Sequence, residues 1–267
     1  KEVIENGACN IIAMKNHILS KYAYTVSDEA IQSCLKNLNF EFVRENKDRE
    51  LKPVRELYNI DIVKIEGDEI TAENKFLNDL VNNEFRRFLM DNIELSICSF
   101  NRTYKDSTFV DGFCLYQKYS RKDVFRILCW DENPVAQNVG GYMISGDKSN
   151  CALFVNYHKE EDISSSTKYE DRFINQSEFE WMSKSRRSLN SPDVKTIRDI
   201  EMRLPLFIKK SNDEGNEFYF MGDIKPVVDS FRETKLKDDN NKEVSVVKVL
   251  FSMDTPVDDD VYQYLVH

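Results

Sequence analysis

Apolar residues change their spacing along this chain. From Asn10 to Ser20, and again after Ser27, they recur every three or four positions, as on one face of a helix. Ser27 stands as an N-cap with Asp28 and Glu29 in the first turn, and Ile31, Cys34, Leu35 and Leu38 share the face that follows. A longer run opens at Thr71 and carries Phe76, Leu77, Leu80, Val81, Phe85, Phe88 and Leu89. The stretch YNIDIVKIEGDEI alternates instead, which predicts a strand hairpin beside the helices.

The pattern shifts near residue 118. Five of the six prolines and five of the eight glycines lie beyond it, as expected where helices give way to strands and turns. One helix is predicted at the junction. Ser120 caps it, Asp123 follows three residues on, Val124, Ile127 and Leu128 form its inner face, and Asn133-Pro134 ends it. Short strand-like runs come next: GGYMIS, the turn GDKSN, CALFVNYHK, TKYEDRF and EFEWMS. A second helix starts at Ser191-Pro192-Asp193, with the serine as N-cap and the proline at the first helical position. LPLFIKK, the turn SNDEG, NEFYFMGDI, a charged loop (KLKDDNNKE) and VSVVKVLFSM complete the series. Roughly seven short strands with two helices predict a small, closed, mixed β-barrel. The expected fold class is therefore α+β, with a mostly helical connector over 1–118 and the barrel over 119–267.

Composition narrows the function. The 267 residues are 41% hydrophobic and 12% aromatic, enough to bury a core and unlike a disordered tail. No apolar run approaches the roughly 20 residues of a membrane span, and no signal-peptide pattern opens the chain. Lys1 follows no Met, as in a fragment of a longer protein. The six cysteines (Cys9, Cys34, Cys98, Cys114, Cys129 and Cys151) never form CxxC. Most sit in apolar settings such as ELSICSF and RILCW, where a thiol behaves as a small hydrophobe. With three histidines and none paired at metal spacing, neither a zinc site nor a disulfide framework is expected. A reduced, cytoplasmic protein follows.

The net charge of −10 argues against a general nucleic-acid binder. Dividing the chain after Lys118 leaves both parts acidic, with 16 basic and 20 acidic residues in the first and 21 and 27 in the second. Any contact with DNA must come from a local patch, and basic residues do cluster in SKSRR, Ser183 to Arg187. Such a cluster is more often solvated surface unless its neighbours say otherwise.

Enzyme motifs are missing. There is no GxxxxGK[ST] phosphate loop and no acidic box after a strand, so no NTPase engine and no ATP or Mg²⁺ site is expected in these residues. A phospholipase-D nuclease needs His-x-Lys, whereas His158 is followed directly by Lys159. A metal-dependent nuclease reading of Asp213 with Asp223-Ile224-Lys225 is weak, because Pro226 follows the lysine and acidic residues near a lysine arise by chance in so charged a chain. No Ser-His-Asp or Cys-His motif is present. The expectation is a binding module without catalytic residues.

One stretch carries more information. From Tyr157 to Ser191 the chain reads YHKEEDISSSTKYEDRFINQSEFEWMSKSRRSLNS. Tyr169 and Trp181 stand twelve residues apart, with Asp171 two residues after the tyrosine and the hydroxyl and basic cluster directly after the tryptophan. Those are the parts of a flipped-base pocket. Extruding a base costs a few kcal/mol, and each aromatic face returns roughly 1–3 kcal/mol by stacking. A carboxylate such as Asp171 can accept from the cytosine N4 amino group. Ser183, Lys184, Arg186 and Arg187, with His158 and Lys159, are candidate backbone contacts. The competing reading places Tyr169 and Trp181 in the barrel core on adjacent strands, and spacing alone favours it.

The stretch resembles the pocket of SRA domains, readers of methylated cytosine. Tyr169-Glu170-Asp171 matches the start of their motif, and Trp181 stands where a second tyrosine closes the base site. The fourth motif position is Arg172, so the aspartate role falls to Asp171, and Met182-Ser183 replaces a Thr-Gly turn. YSRKDVFRILCW, QNVGGYMI, the pocket stretch and EFYFMGDIKPV, in that order, are together similar to the C-terminal region of SauUSI-like type IV restriction enzymes. These join a phospholipase-D nuclease to a DEAD-box helicase. The resemblance implies an SRA-like, PUA-type barrel that recognises 5-methylcytosine, and 5-hydroxymethylcytosine, in duplex DNA by base flipping. It also implies a bacterial phage-defence enzyme whose helicase and nuclease domains, with their ATP and Mg²⁺, lie elsewhere in the same full-length chain. A reader of another DNA modification on this fold, or a protein-interaction module regulating the helicase, is the alternative.

Overall fold

The computed structural model describes residues 1–22, 25–28, 31–32, 40–45, 48–53, 63–128, 130, 140–158, 171–199, 201–237 and 243–267. The expected positions Cys34, Leu35, Leu38, Cys129, Asn133-Pro134, Lys159, Tyr169 and Glu170 lie outside them. The chain divides into two compact units, Lys1–Gly112 and Phe113–His267. The α+β class expected from the sequence is the class observed, with a helical N-terminal region and a large mixed sheet.

In the first unit, α1 (Glu2–Asn6) and β1 (Ala8–Asn10) lead into α2 (Ile11–Tyr22), which matches the helix expected over Asn10 to Ser20. The Asn10 side chain accepts from the Ile12 and Ala13 N–H groups and so caps α2. β2 (Phe40–Glu45) pairs antiparallel with β3 (Asp48–Pro53). β4 (Val63–Glu66) and β5 (Glu69–Ala72) make the expected hairpin, turning through Gly67 at a φ of 60°. Thr71 therefore belongs to a strand and opens no helix. The helical run beyond it is broken in two: α3 (Asn74–Asp79) and α4 (Asn83–Thr103). Asn82 accepts from the Glu84 and Phe85 N–H groups, and that cap starts a new helix where the apolar pattern alone suggested a continuous one. β6 (Phe109–Val110) ends the unit.

The second unit holds the large sheet. The strands of the unit are β7 (Phe113–Cys114), β8 (Lys118–Ser120), β9 (Tyr142–Ile144), β10 (Cys151–Asn156), β11 (Arg172–Asn175), β12 (Glu178–Met182), β13 (Pro205–Lys209), β14 (Glu217–Pro226), β15 (Arg232–Lys237) and β16 (Glu243–Met253), and all but β7 belong to that sheet. Its helices are α5 (Arg121–Ile127), α6 (Pro192–Asp199) and α7 (Asp259–Val266). The main path runs β11-β12-β16-β14-β13-β10-β9, with β15 on β16 and β8 on β14. Only β10 with β13 is parallel among the described pairs of this sheet. Those two strands are buried on both faces, which is why CALFV and PLFI read as unbroken apolar runs. On one side Leu153, Val155, Leu206 and Ile208 join Val249 and Phe251 in the barrel interior. On the other, Phe154, Phe207, Phe218 and Phe220 form an aromatic layer, on which Phe125 of α5 rests against Phe154. A bulge in the β13–β14 ladder falls at Gly222, whose φ is 103°.

The sheet curls until its ends meet, and side chains make the seam. The Tyr142 ring on β9 lies 5.0 Å from Trp181 on β12, and the Tyr157 hydroxyl beyond β10 accepts from the Phe173 N–H on β11. Three details differ from the sequence reading. Lys235-Leu236-Lys237, read as part of a charged loop, belongs to β15, and α7 carries no signal that the reading used. Cys98 is exposed, while Cys9, Cys114 and Cys151 are buried as expected.

Candidate nucleic-acid interface

β12 alternates Glu178, Glu180 and Met182 on one side with Phe179 and Trp181 on the other. Phe179 and Trp181 pair across to Phe251 and Val249 of β16 and enter the core. Trp181 is 3% exposed, edge-on to Tyr142 and tilted against Phe251 at 5.7 Å. The structure thus buries the ring expected to stack on a base; of the two sequence readings, it is the core one that describes Trp181. Tyr169, the other half of the expected sandwich, lies outside the described residues.

Asp171 precedes β11, and its Oδ1 accepts from the Met182 N–H at 2.9 Å. The Tyr157 hydroxyl bonds the Phe173 N–H at 3.2 Å, so the two side chains grip the start of β11 two residues apart. Burial raises the Tyr157 phenol above its ordinary value. His158 is tied to the far end of the chain through its Nε2 and the Leu265 carbonyl oxygen, at 2.9 Å.

The basic turn follows β12 directly. Ser183, expected on the surface, is fully buried: its N–H donates to the Val247 carbonyl and its Oγ accepts from the Val247 N–H. It continues the β12–β16 ladder and cannot meet a phosphate. Lys184 donates to the Tyr142 carbonyl oxygen at 2.9 Å and lies 4.4 Å from the centre of that ring; burial, then the nearby Arg187 charge, holds its ammonium below the ordinary value. Arg186 is exposed at the tip, at a φ of 63° that few side chains adopt. Arg187 anchors the return. Its N–H donates to the Ser245 carbonyl and its Nε to Asp193 Oδ2 at 2.7 Å.

Asp193 is the keystone the sequence reading missed, having placed it only as the first turn of α6. The same Oδ2 accepts from the Tyr142 hydroxyl at 2.5 Å. Burial pushes the Asp193 carboxyl up, but the bonds from Tyr142 and Arg187 outweigh it and hold the group below the usual carboxylate range. Burial and then Asp193 push the Tyr142 phenol well above its ordinary value.

Glu180, 7% exposed, faces the opposite way, toward the outer side of the sheet. It meets Arg232 of β15 at 2.6 Å, Arg172 of β11 at 3.5 Å and Lys248 of β16 at 3.9 Å. Arg172 entered the sequence reading only as a departure from a motif. Arg232 sits in RETKLK, where no apolar alternation announces a strand.

The residues of the weak nuclease reading are not brought together. Asp213 lies in the turn before β14 and Asp223 near that strand's far end, where it accepts from Arg203 Nε at 2.8 Å, and Lys225 pairs with Asp254. Among the described residues no group of three His, Cys, Asp or Glu could hold a metal ion, and no helix is long and apolar enough to cross a membrane.

Two family matches divide the chain much as its two units do. "Domain of unknown function (DUF8090)" matches residues 1–106 and "Domain of unknown function (DUF3427)" residues 113–265. No curated protein matches the chain. Among solved structures it is similar to "DNA modification-dependent restriction endonuclease AspBHI", at 15% identity and a TM-score of 0.34, over 47% of this chain and 37% of that one. It is also similar to "Sulfur binding domain and SRA domain of ScoMcrA complexed with phosphorothioated DNA", at 10% identity and a TM-score of 0.36, over 85% of this chain and 69% of that one. The chain thus spans little more than a third of the length of AspBHI. The match over 113–265 takes in more than half of the 267 residues, and the chain belongs to the family of the domain of unknown function DUF3427.

Proposed function

We propose that residues 113–267 read modified cytosine in duplex DNA, accepting 5-methylcytosine and 5-hydroxymethylcytosine through base extrusion on an SRA-like, PUA-type barrel. The whole chain would then be the target-recognition part of a bacterial, cytoplasmic, SauUSI-like type IV restriction endonuclease, whose helicase and nuclease domains lie elsewhere in the full-length protein. ATP and Mg²⁺ would belong to those domains. The observation that carries the reading is the bond between Asp171 Oδ1 and the Met182 N–H. It fastens a carboxylate to the strand that runs straight into Lys184, Arg186 and Arg187, so an acceptor for a cytosine amino group and cations for its flanking phosphates share one rim. The order of motifs along this unit supports the same conclusion.

The pocket differs from the one the spacing suggested. Trp181, walled into the core, supports the rim through Tyr142 and does not stack on the base. Tyr169 and Asp171 remain the reading pair, and Tyr157 is the described aromatic that grips the same strand end. Burying one methyl group is worth about 1 kcal/mol, and a pocket of this kind discriminates about 10- to 200-fold.

Three duplexes differing only in one cytosine, unmodified, methylated or hydroxymethylated, test the proposal by anisotropy titration. The modified duplexes should bind about 10- to 200-fold more tightly. Asp171→Ala should remove about 1–3 kcal/mol of that preference. Equal affinity of the parent chain for all three would overturn the reading.

A further inference from the structure

The outer face of β11, β12, β16 and β15 carries a charge arrangement that folding alone does not require. Glu180 is a buried carboxylate and must be paired. One arginine would suffice. The chain instead places three cations around it: Arg172 directly opposite on β11, Arg232 on β15 and Lys248 on β16. Lys248 and Arg232 are themselves opposite each other in the β15–β16 register, a like-charge cross-strand pair that destabilises a sheet. In a chain of net charge −10, this concentration is out of keeping with the average surface.

The three cations differ in what they show to solvent. The Lys248 side chain is 17% exposed, whereas those of Arg172 and Arg232 are 62% and 64% exposed. Each arginine touches Glu180 through Nη2, one corner of a planar fork with five donors. The shared carboxylate thus draws one corner of each fork to a common point, while most of each arginine side chain stays exposed. Planar, exposed donors gathered in this way suit the oxygens of a phosphodiester. Arg172 also follows Asp171, the carboxylate assigned above to the base.

We propose that Arg172 and Arg232, aligned by Glu180, form a phosphate clamp for the DNA backbone, distinct from the SKSRR turn. That the anion is duplex DNA rests on the reader function proposed above; the clamp geometry does not. Two phosphates neutralised imply a definite salt dependence, since each contributes about 0.9 to the slope of log affinity against log salt.

The test measures binding of a methylated and an unmethylated duplex across a salt series, for the full 267-residue chain and two double variants checked for an unchanged melting temperature. Arg172→Ala/Arg232→Ala should lower the slope by about 1.8 and weaken both duplexes by the same factor. Arg172→Lys/Arg232→Lys keeps both charges and should restore most of the slope. A slope unchanged in the alanine variant overturns the clamp, as does an equal fall in both variants, which would mark a structural role for the guanidinium groups. The ratio between duplexes reports separately on the reader. A parent chain with no methyl preference but a slope that responds overturns the reader and keeps the clamp, while absence of duplex binding overturns both.

Discussion

Removing Trp181 leaves a void, since its indole meets Tyr142 and Phe251 and shows 3% of its surface. Trp181→Ala should therefore destabilise the second unit by about 3–5 kcal/mol, against less than about 0.5 kcal/mol for Arg186→Ala at the exposed tip. Urea unfolding of both variants checks this, and an unmoved midpoint for Trp181→Ala would contradict the buried placement. The parity of EFEWMS already held the answer: Phe179 and Trp181 are two residues apart, so they share a face opposite Glu178 and Glu180. Spacing to Tyr169 says nothing about face, because a loop between strands resets the alternation. Asp171 and the basic residues were singled out by residue type. Asp193 was not, because its partners lie 51 and 6 residues away, on β9 and in the turn. Ser183 shows the converse. A serine among arginines looks solvated, yet the ladder reaches one residue further than the apolar pattern does.

At the scale of elements, the basic turn is held by the start of α6. Asp193 joins that helix to Tyr142 of β9 and to Arg187, so one carboxylate fixes three segments. Its folded value is depressed, so its stabilisation is present above the ordinary carboxylate range and is lost as pH falls through about 4 toward the folded value. Asp193→Asn should cost about 1–3 kcal/mol at neutral pH and flatten the acid limb of the stability curve. Thermal unfolding between pH 7 and pH 3 (both approximate limits for this carboxylate) reads both effects; parallel curves for parent and variant would show that Asp193 does not carry the acid sensitivity. Elements with a chemical start signal were legible. Ser120 bonds Asp123 at both its N–H and its carboxylate, and the strands of the parallel pair announced themselves as apolar runs. Elements defined by their partner were not. RETKLK is a strand because β16 offers an edge along its whole length, and α7 forms where Asp258 caps it and Leu265 is buried.

For the whole molecule, the boundary at Gly112–Phe113 lies six residues before the change in composition near 118, and the strand β8 just at that change pairs with β14 of the large sheet. Sequence composition marks where turns and prolines accumulate; contact marks where the core closes. The proposal that this chain reads DNA and does no chemistry on it predicts that purified protein neither hydrolyses ATP nor cuts duplex DNA. Phosphate release and plasmid nicking assays with Mg²⁺ check this, and cleavage that Asp223→Ala abolishes would restore the nuclease reading. The last strand has a further consequence. β16 pairs with β12 along one edge and with β15 and then β14 along the other, so three strands converge on it. During synthesis from the N-terminus, residues 1–112 emerge with all the strand partners described for β1 to β5, while the barrel waits for its hub. Until residue 253 leaves the ribosome, β11 and β12 have no seat in the sheet, and the apolar faces of most of the unit stay open to chaperones. A premature stop before β16 would thus yield an aggregation-prone product rather than a smaller reader.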